Sequence, residues 1–175
     1  EYLSRYFAIT LFFYNPNIAP EEEYLHRKAE LKRLVQTMPL SHPVTILDGD
    51  YAPERFYALA KGLEQEPERG ARCQKCIGHR LEESFRAAAM QTPAPDFVCT
   101  TLTISPHKDA VWINTRGAEL AQQYGIPWLY TDFKKKGGYQ RSIALSREYD
   151  LYRQNFCGCV YSRLEAERRE QQHNS

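Results

Sequence analysis

The stretch that narrows the choice of fold furthest is Phe7-Ala8-Ile9-Thr10-Leu11-Phe12-Phe13-Tyr14, a continuous apolar, β-branched and aromatic run. Side chains of a strand alternate between its two faces, so a run with no polar alternation needs both faces covered. That is the pattern of a strand inside a parallel sheet, with helices packed on either side. Asn15-Pro16-Asn17 follows with turn chemistry. Pro20 and the acids Glu21, Glu22 and Glu23 then open a helix, where proline suits the first turn and carboxylates suit the positive end of the dipole. The helix runs to about Thr37 and places Leu31, Leu34 and Val35 on one face.

The same alternation continues along the chain. Val44-Thr45-Ile46-Leu47 reads as a second strand, and residues 53–62 as a second helix. Residues 64–70 form a polar linker. A long helix follows over about 73–90, with Cys76, Leu81, Phe85 and Ala89 at helical spacing. Residues 97–102 are a predicted third strand, residues 105–124 a helical region stopped by Gly125, and Trp128-Leu129-Tyr130 a fourth strand. The remainder reads as helix with a break near residues 156–158. This order predicts an α/β fold: a mostly parallel, Rossmann-like sheet with helices on both faces, in a single layered domain with a helical C-terminal part. The expected domain covers residues 1–162, and a charged tail covers residues 163–175 and frays. Glu1-Tyr2-Leu3-Ser4-Arg5-Tyr6 reads as the tail of a helix, so the domain is expected to have begun further upstream. Ligands of such sheets bind beyond the carboxyl ends of the strands. The polar residues placed there are Asn15 and Asn17, then Thr101, Thr103 and Ser105, then Thr131 and Asp132.

No run of about 18 apolar residues exists, so no membrane span or membrane partner is expected, and no signal peptide is visible. The net charge is only +1, which removes any bulk electrostatic argument for nucleic acid. Five cysteines form an odd set, a poor match to closed structural disulfides, and a reducing, cytoplasmic setting is expected.

Four of those cysteines fall in two tight pairs, Cys73-Gln74-Lys75-Cys76 and Cys157-Gly158-Cys159. Packing alone does not need such pairing. Cys-x-x-Cys at a helix start turns two sulfurs toward one metal, and Gly158 permits the backbone angles that a tighter Cys-x-Cys turn requires. Helix N-termini favour thiolate, as would neighbouring Arg72, Lys75 and Arg153. Four thiolates suit a tetrahedral zinc ion or an iron–sulfur cluster, and spacing does not separate the two. A metal-free thiol–disulfide pair is a third reading. Cys99 lies in an apolar run and reads as a small buried hydrophobe.

Asp132, at a strand end, is a candidate acid or ligand, with a helix cap as its plain alternative. His79 follows Cys76 by three residues and is either near the metal or on a solvated helix face. Lys134, Lys135, Lys136, Arg141, Arg147 and Arg153 face only Glu148 and Asp150 over residues 134–153. Tyr139, Tyr149 and Tyr152 are interleaved. Cations bind phosphates and aromatic faces stack bases, while a solvated surface has the same composition.

The string Phe13-Tyr14-Asn15-Pro16-Asn17-Ile18, with Pro20, Glu23-Tyr24 and Arg27, resembles the QueH-type epoxyqueuosine reductases. So do Gly70-Ala71-Arg72-Cys73-Gln74-Lys75-Cys76 with Arg80-Leu81, and Thr100-Thr101-Leu102-Thr103-Ile104-Ser105-Pro106. The resemblance continues in Asp132-Phe133-Lys134-Lys135, Gly138-Tyr139-Gln140-Arg141-Ser142 and the block from Leu151 to Ser162. It implies reductive removal of the epoxide oxygen of epoxyqueuosine at the wobble position of tRNA, within queuosine biosynthesis. It implies a 4Fe-4S cluster with an adjacent mononuclear iron, without cobalamin, and an electron donor that is not identified. Cys73, Cys76, Cys157 and Cys159 are then the expected metal ligands, and Asp132 is expected in a supporting or proton-donating role. Asn15 and Asn17 would hydrogen-bond the modified nucleoside. Lys134, Lys135, Lys136, Arg141 and Arg153 would hold anticodon-loop phosphates. The family opens with a strand and a Cys-Cys-x-x-Cys loop that this sequence does not show, and Glu1 is expected to fall in the helix after that loop. The rival reading is a non-catalytic RNA-binding module stabilised by structural zinc.

Overall fold

A computed structural model describes residues 1–173. The chain is mixed α/β and divides into two compact units, one made of residues 1–58 with the stretch from Glu148 onward, the other Leu59–Arg147.

In the first unit, strand β1 (Ile9–Phe13) pairs parallel with β2 (Val44–Asp48), in register from Ile9 opposite Val44 to Phe13 opposite Asp48. Helix α1 (Glu21–Thr37) connects them. This is the predicted β–α–β crossover. Pro20 takes the capping position rather than the first turn, with extended backbone, and Glu21, Glu22 and Glu23 fill the first turn. Tyr24 of α1 is buried and stacks on Tyr51 at 4.1 Å between ring centroids, and Phe13 meets it at a tilt at 5.3 Å. Helix α2 (Pro53–Ala60) buries Phe56, whose ring also meets Tyr161. The first residues form a single tight turn over Leu3–Arg5.

In the second unit, α3 (Ala71–Ala89) lays Ile77, Leu81, Phe85 and Ala88 against Ile113 and Leu120 of α4 (Ala110–Tyr124), with Val98, Ile126 and Trp128 completing the core. Gly117 lets the Trp128 ring lie on the α4 backbone, since a Cβ there would collide with it. Helix α4 begins five residues later than the Ser105 start predicted, because Asp109 caps it by accepting from Val111 and Trp112 N–H groups at 2.9 and 3.0 Å. It stops at Gly125 as predicted, in a left-handed conformation with φ of 68°. Helix α5 (Gly138–Glu148) ends this region, and α6 (Val160–His173) closes the chain in the first unit.

The strand predictions hold only in part. Among the described residues the paired strands are β1 and β2, and the predicted third and fourth strands touch at one parallel bridge, Val98 with Trp128. Pro127 has no N–H to extend the ladder, and Thr100 draws the chain into a 3-10 turn at Thr101–Ile104 by accepting from Leu102 N–H at 3.2 Å. Residues 163–173 are helical rather than frayed, and the last two residues of the predicted tail lie outside the described residues. No described helix is long and apolar enough to cross a membrane.

Candidate metal and substrate site

In the second unit, Cys73 and Cys76 occupy the first turns of α3, on one side of the helix. Gly70 caps this helix, and the Glu66 carboxylate accepts from Ala71 N–H at 3.1 Å. The Cys73 sulfur accepts from Arg69 N–H at 3.3 Å. Arg72, expected beside the thiols, also reaches back to the linker. It is 2% exposed, and one guanidinium nitrogen donates to the carbonyls of Leu63, Glu64 and Glu66 at 3.1, 3.0 and 2.6 Å. It therefore organises the linker ahead of the helix.

In the first unit, Cys157-Gly158-Cys159 lies at the start of α6. The two sulfurs are 3.8 Å apart. Two thiolates on one tetrahedral ion, each about 2.3 Å from the metal, lie roughly this far from one another. The donor set therefore fits a thiophilic metal. Neither this pair nor any other of the five cysteines is in a disulfide. The hydrogen bond shared with Cys157, and then burial, hold the Cys159 thiol far above the usual thiol range, against the expectation from its helix N-terminus. Ser162, three residues on, donates its backbone N–H to Cys159 Sγ at 3.4 Å, and its Oγ lies 3.2 Å from Cys157 Sγ. Within either unit, among the described residues, no group of three or more His, Cys, Asp or Glu side chains gathers as a ready cage.

Arg27 of α1 fixes the peptide that carries this pair. Its guanidinium donates to the carbonyls of Cys157 at 3.1 Å and Phe156 at 3.3 Å, lies over the Phe156 ring, and pairs with Glu23 at 2.6 Å. Gly158 has φ of 120°, and a Cβ there would meet Ile18 at 2.8 Å and Arg27 at 3.0 Å. Ala19 N–H donates to the Gly158 carbonyl at 2.9 Å. The turn after β1 thus lies directly against the cysteine loop. Asn15 is half-buried in that turn and its carbonyl accepts from Ile18 N–H at 3.2 Å. Asn17 is 3% exposed, and its Oδ1 accepts no hydrogen bond from the described residues.

Asp132 is held by Lys134 at 2.8 Å and Lys135 at 3.4 Å. The hydrogen bond from Lys134 is the main reason its carboxyl sits below the usual carboxylate range, so it is an anion at neutral pH. Its loop is fastened by Thr103, whose hydroxyl meets that of Thr131 at 3.2 Å. Lys135, Lys136 and Arg141 are exposed in the same unit, and Arg153 is exposed in the other. Cys99 is half-buried, and burial pushes its thiol up to about 11, which suits the packing role read from the sequence.

Sequence reasoning missed Ser162 and Asn114. Ser162 stands at the third helical position after Cys159, the spacing at which a cap and its partner meet. Asn114 is visible only in space. Its amide donates to the carbonyls of Ala110 and Thr131, both at 2.8 Å, and accepts from Trp128 Nε1 at 2.9 Å and Thr131 N–H at 3.2 Å.

A family model described as epoxyqueuosine reductase QueH matches residues 1–165. A Streptococcus pyogenes protein named epoxyqueuosine reductase QueH is 39% identical over 164 residues, covering 93% of this chain and 64% of that protein. Relatives of the same name from Thermotoga maritima and Haemophilus influenzae are 35% and 41% identical, over 88% and 87% of this chain and 79% and 60% of their own lengths. The chain spans a little under two thirds of the Streptococcus protein.

Proposed function

This chain belongs to the epoxyqueuosine reductase QueH family, and we propose that it reduces epoxyqueuosine to queuosine at the wobble position of a tRNA. The observation that carries the reading is the Cys157–Cys159 sulfur pair, set 3.8 Å apart at the head of a helix in a chain of that family. In the net reaction two electrons and two protons enter, both C–O bonds of the epoxide break, and an alkene and water result. Cys73, Cys76, Cys157 and Cys159 are the thiolates that would hold the 4Fe-4S cluster and the adjacent iron. When bound, that group supplies electrons one at a time and a Lewis-acidic seat for the departing oxygen.

The chain's own residues do the rest. Arg27 and Gly158 keep the cysteine loop in one conformation. Asn17, with its open Oδ1, accepts from a hydroxyl of the modified nucleoside, and Asn15 shares its turn. Asp132 remains ionised beside Lys134 and Lys135, and its charge offsets part of theirs. Lys134, Lys135, Lys136, Arg141 and Arg153 attract the anticodon-loop phosphates. A Rossmann-like layering belongs to the same reading, since Asn15 and Asn17 follow β1 and Asp132 follows the Trp128 bridge, beyond the carboxyl ends of parallel segments.

The test is anaerobic purification of the chain, assay of iron and acid-labile sulfide, and incubation with dithionite and tRNA carrying epoxyqueuosine. Iron with sulfide, and queuosine in the nucleoside digest, are expected. One zinc per chain, no sulfide and no turnover would replace the reductase with a zinc-stabilised RNA-binding module.

A further inference from the structure

Ser162 is 1% exposed and sits in the first turn of α6. A serine on a helix ordinarily returns its hydroxyl to a carbonyl three or four residues back. Ser162 does so, with Oγ 3.0 Å from the Cys159 carbonyl, yet the same Oγ lies 3.2 Å from Cys157 Sγ and 3.5 Å from Cys159 Sγ. Its N–H independently reaches Cys159 Sγ at 3.4 Å. One residue therefore addresses both sulfurs of the pair, through two different donors.

We propose that Ser162 is the positioning residue that sets Cys157 and Cys159 as a two-toothed ligand for a thiophilic metal. The proposal rests on the reading that these thiols are ligands. A hydroxyl carries a single proton, so it serves one acceptor at a time. When both sulfurs ionise to take a metal, the stronger acceptor is Cys157 sulfur, and the hydroxyl turns from the Cys159 carbonyl toward it. The N–H remains on Cys159 sulfur. Each thiolate then keeps one fixed donor from the same residue, which holds their separation and aims their remaining lone pairs the same way. Outer donors of this kind shape a metal site as much as the ligands do.

The test titrates Co²⁺ alone into the reduced, metal-free chain under anaerobic conditions and follows thiolate-to-cobalt charge-transfer absorption. Cys157→Ser and Cys159→Ser identify the part of the band that belongs to this pair. Ser162→Thr keeps the hydroxyl, and Ser162→Val replaces it by a methyl of nearly the same shape. The threonine variant is expected to bind within about threefold of the parent chain, and the valine variant about tenfold more weakly with a smaller band. Ser162→Ala, which adds no bulk, carries the same expectation as valine and serves if the branched pair does not fold by circular dichroism. Equal binding by the threonine and valine variants, tight or weak, overturns the proposal, as does an alanine variant that binds like the parent chain. Absence of the band from the parent chain removes the pair as a metal ligand altogether. No tRNA is involved, so failure of turnover and failure of this result are separate observations.

Discussion

Asn114 uses every donor and acceptor of its amide, tying α4 to Trp128 and to the Thr131 backbone beside Asp132. Removing it takes a partner from Trp128 Nε1 and from the Thr131 N–H and carbonyl, part-buried groups each worth about 1–3 kcal/mol when left unpaired. Asn114→Ala is therefore expected to lower stability by about 3 kcal/mol, read as a shift of the urea midpoint at unchanged slope. Nothing in the sequence singles out Asn114, because its partners lie up to 17 residues away and none is charged. Glu30 is the corresponding ionic case. Its carboxylate takes the Arg33 guanidinium first and the Tyr152 N–H second, and its pKa falls from 4.5 to about 2. A carboxyl whose folded pKa is depressed stabilises the folded state above its unfolded pKa. That contribution drains away as pH falls from about 4.5 toward 2. Between pH 6 and pH 2.5 the urea midpoint of the parent chain should fall further than that of Glu30→Gln, and the two should converge at the acid end. Parallel pH curves would show that Glu30 is no part of acid sensitivity.

Helix α3 was readable because its buried face repeats every three to four residues, and Leu81 and Phe85 stand in that repeat. Phe85, wholly buried against Tyr124 and Trp128, should cost about 3–5 kcal/mol when changed to alanine. The two predicted strands of the same unit shrank to a bridge because a capping threonine and a proline overrode their apolar composition. The segment 149–159 carries no periodicity at all, and part of its order comes from α1. Arg33 donates to the carbonyls of Tyr149 and Asp150 at 2.9 and 3.0 Å, and Arg27 to those of Phe156 and Cys157. The sequence supplies both arginines but not their 116- to 130-residue reach. Arg27→Met keeps the stem and removes the donors. It is expected to raise amide exchange from residue 156 to 159 while leaving exchange in β1 and β2 unchanged. Uniform exchange across both regions would mean that the arginine does not hold the loop.

For the molecule as a whole, the division into units escaped the sequence because one unit joins the two ends of the described chain through those same long-range contacts, whereas composition is smooth across residues 58–59 and 147–148. Charge was legible, but its partition was not. A net +1 gives no long-range pull on RNA, so the proposed tRNA binding would rest on local cations. Two of the candidate lysines share one carboxylate: Asp132 lies within 2.8 Å of Lys134 and 3.4 Å of Lys135. That carboxylate partly cancels their positive charge. Two changes should then act in opposite directions. Lys135→Glu with Arg141→Glu is expected to weaken binding of tRNA and to flatten the dependence of log affinity on log salt by about 1–2, since each phosphate contact contributes roughly 0.7–0.9. Asp132→Asn releases both lysines and is expected to tighten binding and steepen that dependence. Filter binding across a salt series measures both. If the double reversal leaves affinity and slope unchanged, these residues do not touch phosphate. If Asp132→Asn weakens binding, the carboxylate is organising the lysines for RNA rather than competing with it.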